Sequence, residues 1–448
     1  MPIALPRLSN PISTFKESAA EELAPCFQAT QFNATAIASS AAVDKGKFAN
    51  FKVYQSLDDL AELEPLWNNL VAEYPSASIF CTWEWLLSWW QSFGNRRRLL
   101  VLALFDSDSR LIGLAPLSIL SEPVLGKLSL RVLRFVGDGS NDSDNLDFPV
   151  RPGFEEVFAR KVVEYLREHG NEWDIVLLNT MPLESPVAKV LVTSLLQRPY
   201  WSCFHEFRRR LIVSLPLKWD DYVAQISAKE RRNLAYYGRR LKNAYSVRIY
   251  RCTNEAELPA CLGALFRLHQ QRWQSAGQPG TFAEETRRHF YTELGLRLLR
   301  RSWLELWIAE LNGKIAAVQF AMRYRDTVYS LQEGYDPDHA SDRVGFILRA
   351  HVLKQLISEG VRIYDFLAGE DPHKARWKPS PSSYRDIRFA ATWSLGGVLL
   401  NSSYRSLAAK EWLRERLHPS LWRLLHKANL ALKPRKGPLF PGASTQHP

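Results

Sequence analysis

The chain has 448 residues, 46% of them hydrophobic, with a net charge of +11; one hydrophobic core stops growing below that length, so two domains of under about 200 residues are expected. Five cysteines, odd in number and without Cys-x2-Cys spacing, point to neither a disulfide framework nor a zinc cluster. The charge is uneven: residues 401–448 hold nine Lys or Arg against Glu411 and Glu415, which leaves the body near balance and argues against a body-wide nucleic-acid footprint.

Residues 1–49 alternate small and polar types without an apolar period and read as a disordered segment. They lack a basic region followed by an apolar stretch and a small-residue cleavage site, and no run approaches the roughly 18 apolar residues that span a bilayer, so a cytoplasmic location is expected. Sustained patterning begins at Phe51-Lys52-Val53-Tyr54, an alternating strand, followed by Leu60, Leu63, Leu66, Trp67 and Leu70 at helical spacing. A helical run to Phe93 carries Trp83, Trp85, Trp89 and Trp90, whose spacing favours core packing over a stacking platform. Strands at 99–105 and 111–118 flank the turn Asp106-Ser107-Asp108-Ser109, and a strand (130–136), helix (154–169), strand (173–178), helix (187–197) and strand (211–215) follow.

The second half repeats this grammar. A basic helix (229–244) leads into a strand (247–251), helices (258–276 and 283–301) and a hairpin of 304–311 with 315–324, turned by Asn312-Gly313. A strand (327–335), a helix (345–359) and a strand (362–367) complete the unit. The two hairpins suggest duplication.

Several short motifs stand in a fixed order: Phe80-x4-Trp85, Leu114-Ala115-Pro116-Leu117, Arg232-Asn233-Leu234, His269-x2-Arg272-Trp273, the run 311–317, Gly334-Tyr335-Asp336-Pro337, Gly345, the run 365–370 and Lys374-Ala375-Arg376-Trp377. Together they resemble the CelD/BcsL-type acetyltransferases of the GNAT superfamily, which are encoded beside cellulose and exopolysaccharide genes and related in fold to Fem-type aminoacyl transferases. The resemblance covers roughly residues 51–391. It implies an α/β fold of two tandem GNAT-like domains, with mixed, mainly antiparallel sheets flanked by helices, a first domain at 50–210 and a second and catalytic one at 211–400; the charge of residues 401–448 marks a basic amphipathic tail. The resemblance further implies acetyl-CoA or another acyl-CoA as co-substrate, and N- or O-acyl transfer to a small-molecule, sugar, polysaccharide or envelope-precursor acceptor. The usual GNAT pyrophosphate loop is present only as Arg343-Val344-Gly345. No metal, flavin, nicotinamide or Walker motif occurs.

Acyl transfer from a thioester needs a pyrophosphate cradle, donors for the developing oxyanion, and a base for the acceptor. Gly345 opens a helix whose free amides favour phosphate, with Arg343 as a cation beside it; the alternative is a plain turn with a solvated arginine. Asp336 closes a strand before Pro337 and is a candidate base, or an ordinary turn former. Asp365, Glu370, Lys374 and Arg376 bracket a strand end and form either an acceptor pocket, with Glu370 catalytic, or a surface salt-bridge cluster. His269, Arg272 and Trp273 share a helix face: they line the acceptor cleft, with His269 as a catalytic candidate, or His269 is a structural hydrogen-bonder among Leu265, Phe266 and Leu268.

The basic helix holds Lys229, Arg231, Arg232, Arg239, Arg240 and Lys242 around Tyr236 and Tyr237, and reads as a solvated face bordering the donor or acceptor channel, with no nucleic-acid partner expected. In the tail, Trp412, Leu413, Leu417, Leu421, Trp422, Leu424 and Leu425 stand among arginines. That segment lies on an anionic membrane, making the protein peripheral to the inner membrane, docks on a partner, or packs back on the second domain. Two other functions stay open, a Fem-like aminoacyl-tRNA-dependent transferase and a non-catalytic GNAT scaffold in polysaccharide assembly.

Overall fold

Consecutive strands pair with each other at both edges of the sheet, and the chain breaks that rule only at its centre. The computed structural model describes residues 50–416 except 126–127, 141, 197–200, 276, 278–279 and 370–371; the segment 1–49, Glu370 and the tail beyond 416 lie outside the described residues. The first half contains β1 (Asn50–Tyr54), α1 (Leu57–Leu60), α2 (Glu64–Glu73), α3 (Trp83–Phe93), β2 (Arg97–Phe105), β3 (Leu111–Leu125), β4 (Leu128–Phe135), α4 (Glu155–Glu168), β5 (Ile175–Pro182), α5 (Pro186–Leu196) and β6 (Trp201–Ser214). The second contains α6 (Trp219–Gln225), α7 (Ala228–Ala244), β7 (Val247–Arg251), α8 (Leu258–Ser275), α9 (Glu285–Arg300), β8 (Leu304–Leu311), β9 (Lys314–Tyr324), β10 (Thr327–Tyr335), α10 (Val344–Ser358), β11 (Ile363–Ala368), α11 (Pro372–Ala375), β12 (Ser380–Ala391) and α12 (Leu395–Arg416).

The strands form one 12-stranded sheet in the order β1-β2-β3-β4-β5-β12-β6-β11-β10-β9-β8-β7. Each half contributes five strands to its own side and exchanges its sixth: β12 lies beside β5, and β6 lies beside β11. The exchanged strands pair antiparallel without interruption from Ser380↔Ile212 to Ala391↔Trp201 and join the halves. Sequence periodicity shortens β6 to 211–215 and passes over β12, because both carry charges that read as loop. The fold hides them: Asp386 and Arg388 are buried, and Arg208 donates to Asp386 at 2.7 Å. The expected division at 210/211 falls inside β6.

Local signals elsewhere become the elements they suggest. Asn312 and Gly313 take φ of 52° and 76°, as a two-residue turn between Leu311 and its partner Lys314 requires. Trp67, Trp85 and Trp89 are fully buried, each worth about 3 kcal/mol of apolar burial. Trp85 packs edge-on to Phe290 of α9 at 5.3 Å, and Phe80 on Tyr329 of β10 at 5.5 Å. One core thus runs across both halves and holds β10 against the first half. Among the described residues no helix is long and apolar enough to cross a membrane.

Candidate active site

Two strand pairs in the sheet are parallel, β4–β5 and β10–β11, and each keeps register for only three residues. In the second half the pairs are Thr327↔Ile363, Val328↔Tyr364 and Tyr329↔Asp365. Beyond them β10 continues along β9 to Tyr335↔Ala317, while β11 follows β6 with an irregularity between Asp365 and Ala368. The strands therefore part after Tyr329 and Asp365 and leave a V-shaped cleft. A bulge at Leu331 falls where they part, between the pairs Ser330↔Ala321 and Gln332↔Phe320, and a bulge re-aims backbone groups away from the ladder.

Side chains alternate across β10, so Gly334 faces α8 and Tyr335 faces α10. A Cβ on Gly334 would sit 2.6 Å from the His269 backbone nitrogen. Gly334→Ala is expected to push α8 off the sheet and destabilise the protein by about 1–3 kcal/mol, read as a lowered denaturant midpoint.

One arm of the cleft leads to the start of α10. Its N-cap Arg343 takes a left-handed conformation at φ 53° with no side-chain cap, and the first-turn amides of Val344 and Gly345 have no intrahelical acceptor. The Arg343 guanidinium lies 4.9 Å over the Tyr237 ring of α7. Asp342 anchors the turn by accepting from Arg240 Nε and the Tyr245 hydroxyl, both at 2.9 Å. A Cβ on Gly345 would meet only Tyr335 atoms at 3.8 Å, so nothing inside the protein requires this glycine.

The other arm ends at the mouth of β11, where a loop from the first half enters. Asp365 is 2% exposed; its Oδ1 accepts from the Leu367 amide at 2.8 Å, and its Oδ2 meets Asn145 Nδ2 and Arg210 at 3.4 Å. Burial raises the Asp365 carboxyl even against the nearby Arg210 charge. Asn145 also donates to the Tyr384 hydroxyl at 3.0 Å and accepts from Arg210. Its neighbour Asp144 accepts from the Ala368 amide at 3.0 Å. Burial, reinforced by the charge of Asp365, pushes Asp144 up to about 7 although the Ala368 amide, Arg208 and Lys374 oppose it. Lys374 Nζ donates to the carbonyls of Phe366, Ala368 and Gly369 at 2.9–3.1 Å and closes the turn after β11. Deeper in the same loop, Asp142 pairs with Arg287 and accepts from the Tyr291 hydroxyl at 2.9 Å.

Of the residues singled out in the sequence, Asp365 and Lys374 meet in this cluster and Arg343 and Gly345 meet at α10. The Asp336 carboxylate accepts from the Asp338 amide at 3.1 Å and caps the turn Pro337–His339, the turn-forming role. His269 is 3% exposed, with Nε2 accepting from Trp273 Nε1 at 2.9 Å. Burial, with Arg272 nearby, pushes His269 down to about 4, so it is neutral at physiological pH. Arg272 stacks 5.7 Å over Tyr335 and pairs with Glu333 at 3.7 Å, and Trp273 is 37% exposed. Arg376 is half-buried. Sequence reasoning missed Asp144, Asn145, Arg210 and Tyr384. The signal open to it was the run Asp142-Ser143-Asp144-Asn145-Leu146-Asp147, dense in acids directly after a first-half strand. Among the described residues no group of three or more His, Cys, Asp or Glu is arranged to hold a metal ion.

Residues 228–375 match the family model described as an acetyltransferase (GNAT) domain. That segment holds α7, the β10–β11 cleft and α10, so the chain carries a GNAT acyltransferase domain and is an acyltransferase. Among solved structures, FemX is similar at 11% identity and a TM-score of 0.52, covering 78% of this chain and 99% of FemX. A tandem GNAT protein from the clavulanic acid biosynthesis pathway is similar at 11% identity and a TM-score of 0.38, covering 76% of this chain and 98% of that one. The likeness to FemX is one of fold: an α/β architecture with a mixed, mainly antiparallel sheet flanked by helices. No curated protein sequence matches the chain.

Proposed function

We propose that the protein transfers an acyl group from acyl-CoA, in the first instance acetyl-CoA, to an amine or hydroxyl acceptor in the cleft between β10 and β11. The observation that carries this reading is the parting of the parallel pair after Tyr329 and Asp365, beside a bulge at Leu331 and the start of α10. The residues fit such a donor. Free amides at Val344 and Gly345 with the Arg343 cation suit a pyrophosphate, and the backbone at Leu331 suits a thioester carbonyl that gains charge. When bound, acyl-CoA supplies the activated acyl group. The acceptor arm is formed by Asp365 and Lys374, with Arg376 from the same stretch, and Arg272 and Trp273 on the α8 side. His269, buried and neutral, serves this arm by positioning Trp273.

The resemblance to CelD/BcsL-type acetyltransferases supports a sugar, polysaccharide or envelope precursor as acceptor, and the leucines and tryptophans among arginines in the tail sequence support a cytoplasmic site of action peripheral to the inner membrane. The first half then shapes the cleft and the second half holds the donor.

Calorimetric titration with acetyl-CoA and longer acyl-CoAs tests this reading. Saturable binding is expected, weakened about tenfold in Arg343→Ala, the cost of one charge-assisted hydrogen bond. Absence of binding to every acyl-CoA shifts the assignment. Binding of aminoacyl-tRNA instead, on the exposed cations of α7, then marks a Fem-like transferase; binding of neither marks a scaffold.

A further inference from the structure

We propose that Asp144, carried by a first-half loop into the second-half cleft, is the general base that takes the proton from the acceptor's amine or hydroxyl. This rests on the acyl-CoA reading above and adds to it the group that activates the nucleophile.

Five carboxylates lie along the loop and the strand end it meets; Asp142, Asp147 and Asp365 have both oxygens engaged, and Asp138 is held in an ion pair with Arg134. Asp138 accepts from Arg134 at 3.1 Å and from Asn179 at 2.8 Å. Asp142 is taken by Arg287 and Tyr291. Asp147 is taken by Tyr74, Ser185 and the Phe148 amide, at 2.8–2.9 Å. Asp365 is taken by Leu367, Arg210 and Asn145. Asp144 differs from Asp142, Asp147 and Asp365 in two ways, and from Asp138 in reaching β11. It is half-buried where Asp142, Asp147 and Asp365 are nearly inaccessible. Its Oδ2 accepts from the Ala368 amide, and its Oδ1 has no hydrogen-bond partner among the described residues.

That amide belongs to the last residue of β11, on the strand that forms one wall of the cleft. The bond therefore fixes one oxygen on the wall and leaves the other for a ligand. The groups that face Asp144 are Asp365 on β11, Lys374 on α11, Arg208 on β6 and the Tyr384 hydroxyl on β12. Lys374 is pinned by three carbonyls and Arg208 by Asp386, so neither closes onto the free oxygen. A carboxylate that titrates near neutrality is poised to accept a proton at working pH and release it after the reaction.

The step balances without a further reagent. The acceptor's nitrogen or oxygen forms a bond to the acyl carbon as its proton passes to Asp144 Oδ1. The carbon–sulfur bond breaks, its electron pair leaves on sulfur, and the thiolate takes a proton from solvent. Asp144 then releases its proton to solvent. The second half alone lacks this base, which explains why a loop of the first half is built into the cleft.

The test uses the full chain and Asp144→Asn, whose amide oxygen keeps the bond from Ala368. Release of CoA from acetyl-CoA is followed with water, glucosamine and lysine as acceptors, calorimetry gives the affinity for acetyl-CoA, and carboxyl titration by carbon-13 NMR on aspartate-labelled protein is read without ligand. Expected are an unchanged acetyl-CoA affinity, CoA release slowed about 10²–10⁴-fold in the variant, and a wild-type rate that rises with pH and levels above about 7. A carboxyl resonance titrating near that value should vanish in the variant. Equal rates in the two proteins, a wild-type rate flat from low to high pH, or acetyl-CoA binding with no CoA release to any of the three acceptors would each overturn the assignment. If Asp144→Asn does not fold, carboxyl titration in Asp147→Asn, which removes the other aspartate pushed up to about 7, still decides whether Asp144 titrates there. Loss of acetyl-CoA binding in the wild type itself overturns the donor reading, and a failure there is distinct from a failure of the base.

Discussion

Replacing Arg210 with methionine is expected to lower the free energy of unfolding by about 3–5 kcal/mol, the usual loss when one member of a buried ion pair is removed. Arg210 is 8% exposed and stands where the exchanged strands meet β11. Its guanidinium reaches Asp365 at 3.4 Å, Ser382 at 3.2 Å and Asn145, and lies 4.9 Å over the Tyr384 ring. Methionine fills similar space but leaves the Asp365 carboxylate buried with only the Leu367 amide and Asn145 for partners. Arg210→Met combined with Asp365→Asn removes both charges and should recover most of the loss, because the penalty comes from the stranded charge and not from the missing contact. Urea unfolding of the single and double variants at neutral pH measures both terms. A loss below about 1 kcal/mol in the single variant would show that water reaches Asp365 and that the network does not lock the halves together.

Asp147→Asn is expected to stabilise the protein relative to wild type as pH rises from about 4 to 7, by an amount on the order of 4 kcal/mol at the top of that range. Asp147 is 1% exposed, and burial pushes its carboxyl up to about 7 despite the hydrogen bonds from Tyr74, the Phe148 amide and Ser185. An aspartate in the unfolded chain ionises near 3.9. Below that value both states are protonated and Asp147 does not affect the balance. Between the two values the unfolded chain releases the proton and the folded chain keeps it, so wild-type stability falls; above about 7 both are ionised and the loss levels off. Asparagine keeps the oxygen that accepts from the Phe148 amide and Ser185, and turns its NH2 to the Tyr74 oxygen, which can donate onward to Ser185 at 3.3 Å. Comparing the variant with wild type at each pH removes the contributions of other titrating groups, including His205, His269 and His351, whose lowered values act in the opposite direction. A difference that stays constant from pH 4 to 8 would sink this prediction.

The two arms of the site differ in how far they could be read from the chain. Arg343 and Gly345 lie within three residues of each other at one helix start, and Asp365 and Lys374 lie nine residues apart around one strand end, so strand–helix punctuation alone brings each pair together. Asp144, Arg210 and Tyr384 are far apart in the chain and meet only because β6 and β12 change sides of the sheet. Asp336 and His269 illustrate the converse. Each has the residue type and spacing of a catalytic group, but a neighbour two or four residues away takes the Asp336 carboxylate into a turn and the His269 ring nitrogen into a bond with Trp273.

By itself the sequence determined the α/β class, the two repeated units, the Asn312-Gly313 hairpin and the tryptophan-rich first core, because each depends on periodicity or turn chemistry within a few residues. Only the tertiary structure decided the exchange of the sixth strands, the opening between β10 and β11, and the entry of Asp144 into the opposite half. Those features depend on which buried charge finds which partner. Charged strands such as β6 and β12 look like loops until Arg208 and Asp386, or Arg210 and Asp365, are seen to neutralise each other across the sheet.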